Sequence, residues 1–202
     1  MQPSPGVSLA PANESLRSAA WRTVIYTDVF DYPLHLTEVH RYLIGQPATI
    51  DQVRQALDIL VAEGHVLSVD GFYMLPGRER IVEVRRRRQQ VADEMWPHAI
   101  RYGHQIARLP FVRMVAVTGA LAANNVEPDA DIDYLIVTRS ERLWLCRLLV
   151  IAQVRRAQRD HVVLCPNYFI SERAIGLKAN SLFAARELAQ MIPLTGLPVY
   201  EA

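Results

Sequence analysis

The chain has 202 residues, with 22 Lys and Arg against 21 Asp and Glu, and half of its residues are hydrophobic. That composition excludes a disordered chain and leaves room for one domain or two small ones. A net charge of +1 places no whole-chain demand for nucleic acid or an anionic membrane surface. The two cysteines, Cys146 and Cys165, have neither metal-type spacing nor a secretory context, which points to a reduced, cytoplasmic protein. Of the 22 basic residues, 21 are Arg and only Lys178 is Lys, a bias that genomic composition explains most simply.

Residues 1–14 hold three prolines and no basic residue. They lack the positive start and apolar stretch of a secretory signal and are expected to be a disordered leader. Residues 15–30 place Trp21, Val24, Ile25 and Val29 at helical spacing, and Asp31-Tyr32-Pro33 ends that helix. A second short helix is expected over Thr37 to Ile44, capped by Thr37 or a residue just before it. A third opens at Thr49 or Asp51 and runs to about Glu63. Its apolar residues Val53, Leu57, Leu60 and Val61 form one stripe, and Gly64 is the stop. Residues 65–69 and 72–75 are short β runs separated by Asp70-Gly71, which predicts a hairpin with a two-residue turn. Three helices followed by a hairpin are expected to form a winged helix-turn-helix over residues 15–76.

Residues 77–110 read as a linking long helix, from Glu79 to Leu109, with Pro97 expected to kink or divide it. Residues 111–202 alternate. Strands are expected at Val112–Val117, Ile132–Val137 and His161–Cys165, the last continuing over 168–170. Helices are expected at Glu141–Arg159 and Ser181–Met191, the latter stopped by Pro193. The window Leu143–Val154 is the most apolar in the chain. It is too short to span a bilayer and reads as a buried helix. Trp21, Trp96 and Trp144 read as packing anchors, and Cys146 as core. Near-continuous apolar strands with helices between them predict a mixed sheet covered on at least one face. The fold class is therefore α+β. The end at Leu197-Pro-Val-Tyr-Glu-Ala202 is compatible with a truncated form of something longer.

The chemistry is concentrated in residues 117–137 (VTGALAANNVEPDADIDYLIV). Side chains alternate along a strand, so Asp131 and Asp133 share a face with Ile132 opposite. Two carboxylates one pleat apart beside a buried sheet are costly unless a cation offsets them, and a hard divalent ion such as Mg²⁺ suits carboxylate oxygens and phosphates. Gly119 permits close backbone approach at the preceding turn, where the following amides can meet a phosphate. As ordinary structure, Gly119 is a turn and the aspartates are a solvated strand entry. As a site, the same residues supply what phosphoryl or nucleotidyl transfer requires.

Thr118-Gly119-Ala120 and Asp131-Ile132-Asp133-Tyr134 resemble the DNA polymerase β-like nucleotidyltransferase superfamily, especially its minimal bacterial members. The family pattern is an apolar strand, Gly-Ser or Gly-Gly, a gap of about this length, and Asp-apolar-Asp-apolar on the next strand. A winged helix ahead of such a domain is also similar to a group of bacterial nucleotidyltransferase-domain proteins. The resemblance implies that Asp131 and Asp133 are catalytic and bind Mg²⁺ or Mn²⁺. It also implies that Thr118, Gly119 and Ala120 hold the phosphates of a nucleoside triphosphate such as ATP. Ala120 stands where the family has Ser. The family's third carboxylate lies on a later strand, and residues 161–168 contain no acid. Asp160, at the edge of that strand, and Asn167 are the nearest candidates, although Asn167 cannot serve as a base.

Charge is partitioned. Residues 78–108 carry eight Arg against four acids, and residues 139–159 carry six Arg against Glu141. Arg85–Arg88 point all around a helix, so they read as solvated or paired with Glu79, Glu83, Asp93 and Glu94 rather than as one patch. Residues 17–75 carry four Arg against seven acids, and the third helix has Asp51, Asp58 and Glu63 with only Arg54. That surface disfavours sequence-specific DNA binding and suits a protein partner. The expected function is Mg²⁺-dependent transfer of a nucleotidyl group from a nucleoside triphosphate to an acceptor hydroxyl on a protein, RNA or small molecule. The alternative is a catalytically impaired binding or sensor module acting through protein partners.

Overall fold

Residues 10–176 and 181–201 are described by the structure, which is a computed structural model. The first helix, α1 (Ala10–Asp28), begins inside the expected leader. Pro11 falls in its first turn, where a missing N–H leaves nothing unpaired. Residues 1–9 of the leader lie outside the described residues. Leu16, Ala20 and Val24 of α1 are buried with Val39, Val53, Leu57 and Leu60 of the two following helices. Trp21 is not the anchor its size suggested. It is 40% exposed and lies against His65 with 5.7 Å between ring centroids.

β1 (Leu34–His35) precedes α2 (Leu36–Arg41). The cap of α2 is His35 rather than Thr37, and the Glu38 carboxylate accepts the His35 backbone N–H at 2.9 Å. The helix also stops three residues short of Ile44. α3 (Ile50–Ala62) is capped by Thr49, one of its two expected openings, in a reciprocal box with Gln52. β2 (Leu67–Val69) and β3 (Phe72–Met74) form the hairpin, with Val69 opposite Phe72. Asp70 and Gly71 both have positive φ, 51° and 80°, as a two-residue turn of this hand requires. β1 adds to the far side of β3, giving the order β1-β3-β2. Two residues carry no periodicity of their own, so only the pairing reveals this strand.

The chain divides into two compact units between Arg86 and Arg87, inside α4 (Ile81–Ala107). Pro97 does not divide α4. Ala92, Ala99, Tyr102 and Ile106 are all fully buried along it, and that packing outweighs the lost hydrogen bond. Arg85, Arg86 and Arg88 of the arginine run are paired, mostly with acids other than those their sequence neighbours offered. Arg85 pairs with Glu38 at 2.9 Å and lies 3.7 Å from the Tyr32 ring centroid. Arg86 bridges Asp70 and Glu83 at 2.7 and 2.6 Å. Arg88 pairs with Glu127 and reaches Asn125.

The second unit is built on a mixed four-stranded sheet. β4 (Val112–Val117) and β5 (Ile132–Thr138) are antiparallel, β6 (Leu164–Ser171) runs parallel to β5, and the order is β6-β5-β4-β7. β7 (Ile192–Thr195) is an edge strand that contains Pro193. A proline argues against a central strand but not against an edge, where one N–H can be spared. One sheet face packs Val115, Val117, Ile132, Tyr134 and Ile136 against α4 and α6 (Leu143–Arg159). The other packs Met114, Ala116, Leu135 and Val137 against Met191. α5 (Gly119–Ala122) is a single turn after β4, and α7 (Leu182–Gln190) starts at its Ser181 cap. Gly196 leads from β7 into the final turn α8 (Leu197–Tyr200).

α6 departs from its expected burial. Cys146, Val150 and Ala157 are buried, while Trp144 and Leu148 are 76% and 63% exposed. One helix face meets the sheet and the rest of the apolar run faces outward. No helix among the described residues is long and apolar enough to cross a membrane.

Candidate functional site

The site forms where β4 ends beside the start of β5. The Thr118 N–H donates to the Asp133 carbonyl at 3.0 Å, continuing the β4–β5 ladder past Val117 opposite Tyr134. That register sets the Gly119 turn directly against the Asp133 side chain. A Cβ added at Gly119 would lie 2.3 Å from Asp133 Oδ2, and Gly119 has φ +66°. Glycine is thus required here twice, for conformation and for space.

On the other side, Asp133 pairs with Cys165 in the parallel β5–β6 register. Ligand atoms of Asp131, Asp133 and Cys165 all lie within 4.8 Å of one another. Asn167 Nδ2 donates to Asp133 Oδ1 at 2.5 Å, and the Cys165 thiol donates to Asn167 Oδ1 at 3.2 Å. Burial, then the neighbouring Asp131 charge, raises Asp133 from 3.8 to about 6. Burial and the two carboxylates push the Cys165 thiol up to about 12. The thiol therefore stays protonated beside the acids, and the oxygen donors of Asp131 and Asp133 are the natural ligands for a hard cation. Two close carboxylates, one partly buried and held above its ordinary range, form a donor set that a divalent ion would satisfy.

Glu187, on α7, was not legible in the sequence as part of this site. Its charge acts on Asp133, and its own carboxyl is raised, chiefly by burial and against an opposing hydrogen bond from the Gly119 backbone. Gln190 Nε2 also donates to Glu187 Oε1 at 2.6 Å. The only sequence signal was an acid on an amphipathic helix, which is common. Of the two residues singled out on the strand side, the structure brings Asn167 to Asp133. Asp160 instead caps the end of α6, accepting from Tyr102 Oη at 2.5 Å and facing Arg101 at 3.5 Å. Thr118 is buried at 4% exposure, and its hydroxyl finds no hydrogen-bond partner among the described residues. Ala120 is exposed just beyond Gly119.

The raised Asp133 has a consequence for stability. The folded chain keeps a proton between pH 4 and 6 that the unfolded chain has lost. Stability therefore falls as pH rises through that interval and stays lower above it. Asp133→Asn is expected to flatten this slope and to melt higher than the wild type at pH 7 without divalent ions. Thermal melts from pH 4 to 7.5, with and without Mn²⁺, check it. Mn²⁺ is expected to raise the wild-type melting temperature at pH 7 and to leave the variant unmoved.

No protein-family model, curated protein or solved structure matches this chain.

Proposed function

We propose that the protein is a Mg²⁺-dependent nucleotidyltransferase that moves a nucleotidyl group from a nucleoside triphosphate to a hydroxyl. The observation that carries this reading is the apposition of the Gly119 turn and Asp133, so close that no side chain fits between them, with Asp131 beside Asp133. In this reading Asp131 and Asp133 hold Mg²⁺ or Mn²⁺, and the backbone at Gly119 and Ala120 meets the triphosphate. Thr118 ends the strand beside them. The bound ion would neutralise phosphate charge as the transfer proceeds.

Asn167 orients Asp133 by donating to one of its oxygens, leaving the other for metal. Glu187 supplies a third carboxylate, carried on a helix rather than on the strand where the family resemblance would place it. A phosphate at the Gly119 amide would displace the Glu187 carboxylate and free it as a base, a role to which its raised range is suited. This third acid favours an active enzyme over an impaired binding module.

The first unit is read as a winged helix with a protein partner. The single arginine of α3, Arg54, pairs with Asp51 at 2.9 Å, and Glu63 pairs with Arg17 at 2.5 Å, which leaves little positive charge for DNA phosphates. Both cysteines are free thiols, consistent with a reducing, cytoplasmic setting.

Calorimetry with ATP, CTP, GTP and UTP in Mg²⁺ tests the proposal. At least one triphosphate is expected to bind, and Asp131→Ala/Asp133→Ala is expected to lose that binding. Transfer of label from an α-labelled triphosphate into an acceptor in extract should require both aspartates. Equal binding by the double variant, or none by the wild type, would overturn it.

A further inference from the structure

Under α7 lies a cavity of about 260 Å³, larger than the ~150 Å³ that encloses a benzene. Its wall is apolar over Leu135, Tyr168, Ile170, Phe183, Leu188 and Met191. Tyr168, Phe183 and Leu188 are 50%, 55% and 40% exposed, so its mouth is open. Two of its polar lining residues are Thr118, whose hydroxyl is buried, and Glu187. That hydroxyl has no partner among the described residues, an arrangement that costs stability unless something else satisfies it. Glu187 is the acid that acts on Asp133. A second cavity of about 340 Å³ shares Leu135, Ile170, Leu188 and Met191, so the apolar space continues along the sheet face.

We propose that this cavity is the acceptor pocket of the reaction proposed above, and that the acceptor is a small alcohol with an apolar body. Its hydroxyl would accept from Thr118 Oγ1 and donate to Glu187. An ammonium ion offers no lone pair to the Thr118 O–H and would bury its charge against apolar walls. A carboxylate would meet Glu187 and Asp133. In the transfer, the acceptor oxygen bonds to the α-phosphorus as the bridging bond to the β-phosphate breaks. Pyrophosphate leaves, and the hydroxyl proton passes to Glu187.

The inference rests on the nucleotidyltransferase reading for its chemistry, but the pocket is testable without metal or nucleotide. The probe is 2-naphthol, titrated by its own fluorescence into the full chain, with naphthalene displacing it in competition. We expect 2-naphthol to bind about tenfold more tightly than naphthalene, the worth of one or two buried hydrogen bonds. Thr118→Val is expected to remove that advantage, to leave naphthalene unchanged, and to raise the melting temperature of the ligand-free chain. A merely structural threonine would lower it. Ala184→Phe, which adds bulk to the lining, is expected to abolish binding of both probes. Equal affinity for the two probes, an unaltered 2-naphthol affinity in Thr118→Val, or no binding of either probe would overturn the proposal. Each of these results is independent of whether Asp131 and Asp133 bind metal and triphosphate.

Discussion

Gly119→Ala is expected to lose at least tenfold, and up to about a hundredfold, in Mn²⁺ affinity, and to abolish the proposed nucleotidyl transfer. The new methyl would sit 2.3 Å from Asp133 Oδ2, 3.1 Å from its Cγ and 3.3 Å from its Cβ. Asp133 has little freedom to yield, since it lies within β5 and its other oxygen is held by Asn167 at 2.5 Å. The left-handed backbone at Gly119 adds ~1–2 kcal/mol of strain for any residue with a Cβ. The carboxylate is therefore pushed from Asp131, or the turn is pushed from the strand, and either separates the proposed metal ligands from the proposed phosphate-binding turn. Mn²⁺ titration followed by electron paramagnetic resonance reads the first effect, and a thermal melt reads the second. Wild-type Mn²⁺ affinity in this variant would show that the Asp133 carboxylate does not hold the ion at this turn.

Gly196→Ala is expected to give the largest loss of stability, about 2–5 kcal/mol from left-handed strain and overpacking together. Gly196 has φ +74°, and its Cβ would meet the Arg113 carbonyl oxygen at 2.3 Å and Met114 Cα at 2.8 Å. These are main-chain atoms of β4 and cannot rotate away. Relief requires β7 to lift from β4, which breaks the pairing of Val115 with Thr195 and of Val117 with Ile192. A loss of this size is a large part of the ~5–15 kcal/mol that holds a typical domain. Urea unfolding of the variant beside the wild type measures it, and an unchanged midpoint would refute the clash.

Much of the local structure was legible because its causes are local. Thr49, one of the two expected openings of α3, is its cap. Asp70-Gly71 makes the hairpin because that pair tolerates two successive positive φ values. Asp131 and Asp133 are close because a strand repeats every second residue. Where the reading failed, the deciding partner was distant in sequence. The alternation of β5 says nothing of which strand lies beside it, so Cys165 joined the aspartates only through the parallel register. Pro193 reads only as the stop of the preceding helix, and the edge strand that contains it appears only in the sheet order. The apolar run of α6 could not reveal that a single face meets the sheet, leaving Trp144 outside.

By itself, the sequence determined the α+β class, the Asp70-Gly71 hairpin turn, and a carboxylate pair preceded by a glycine turn. Each of these follows from backbone geometry and side-chain period within a few residues. Only the tertiary structure decided that the Glu187 charge acts on Asp133, that Asp160 is engaged with Tyr102 and Arg101 instead, and that the buried Thr118 hydroxyl has no partner among the described residues. Those outcomes depend on strand order and on how α7 packs across the sheet. Such long-range packing is set by the summed burial of many side chains, and no short motif encodes it.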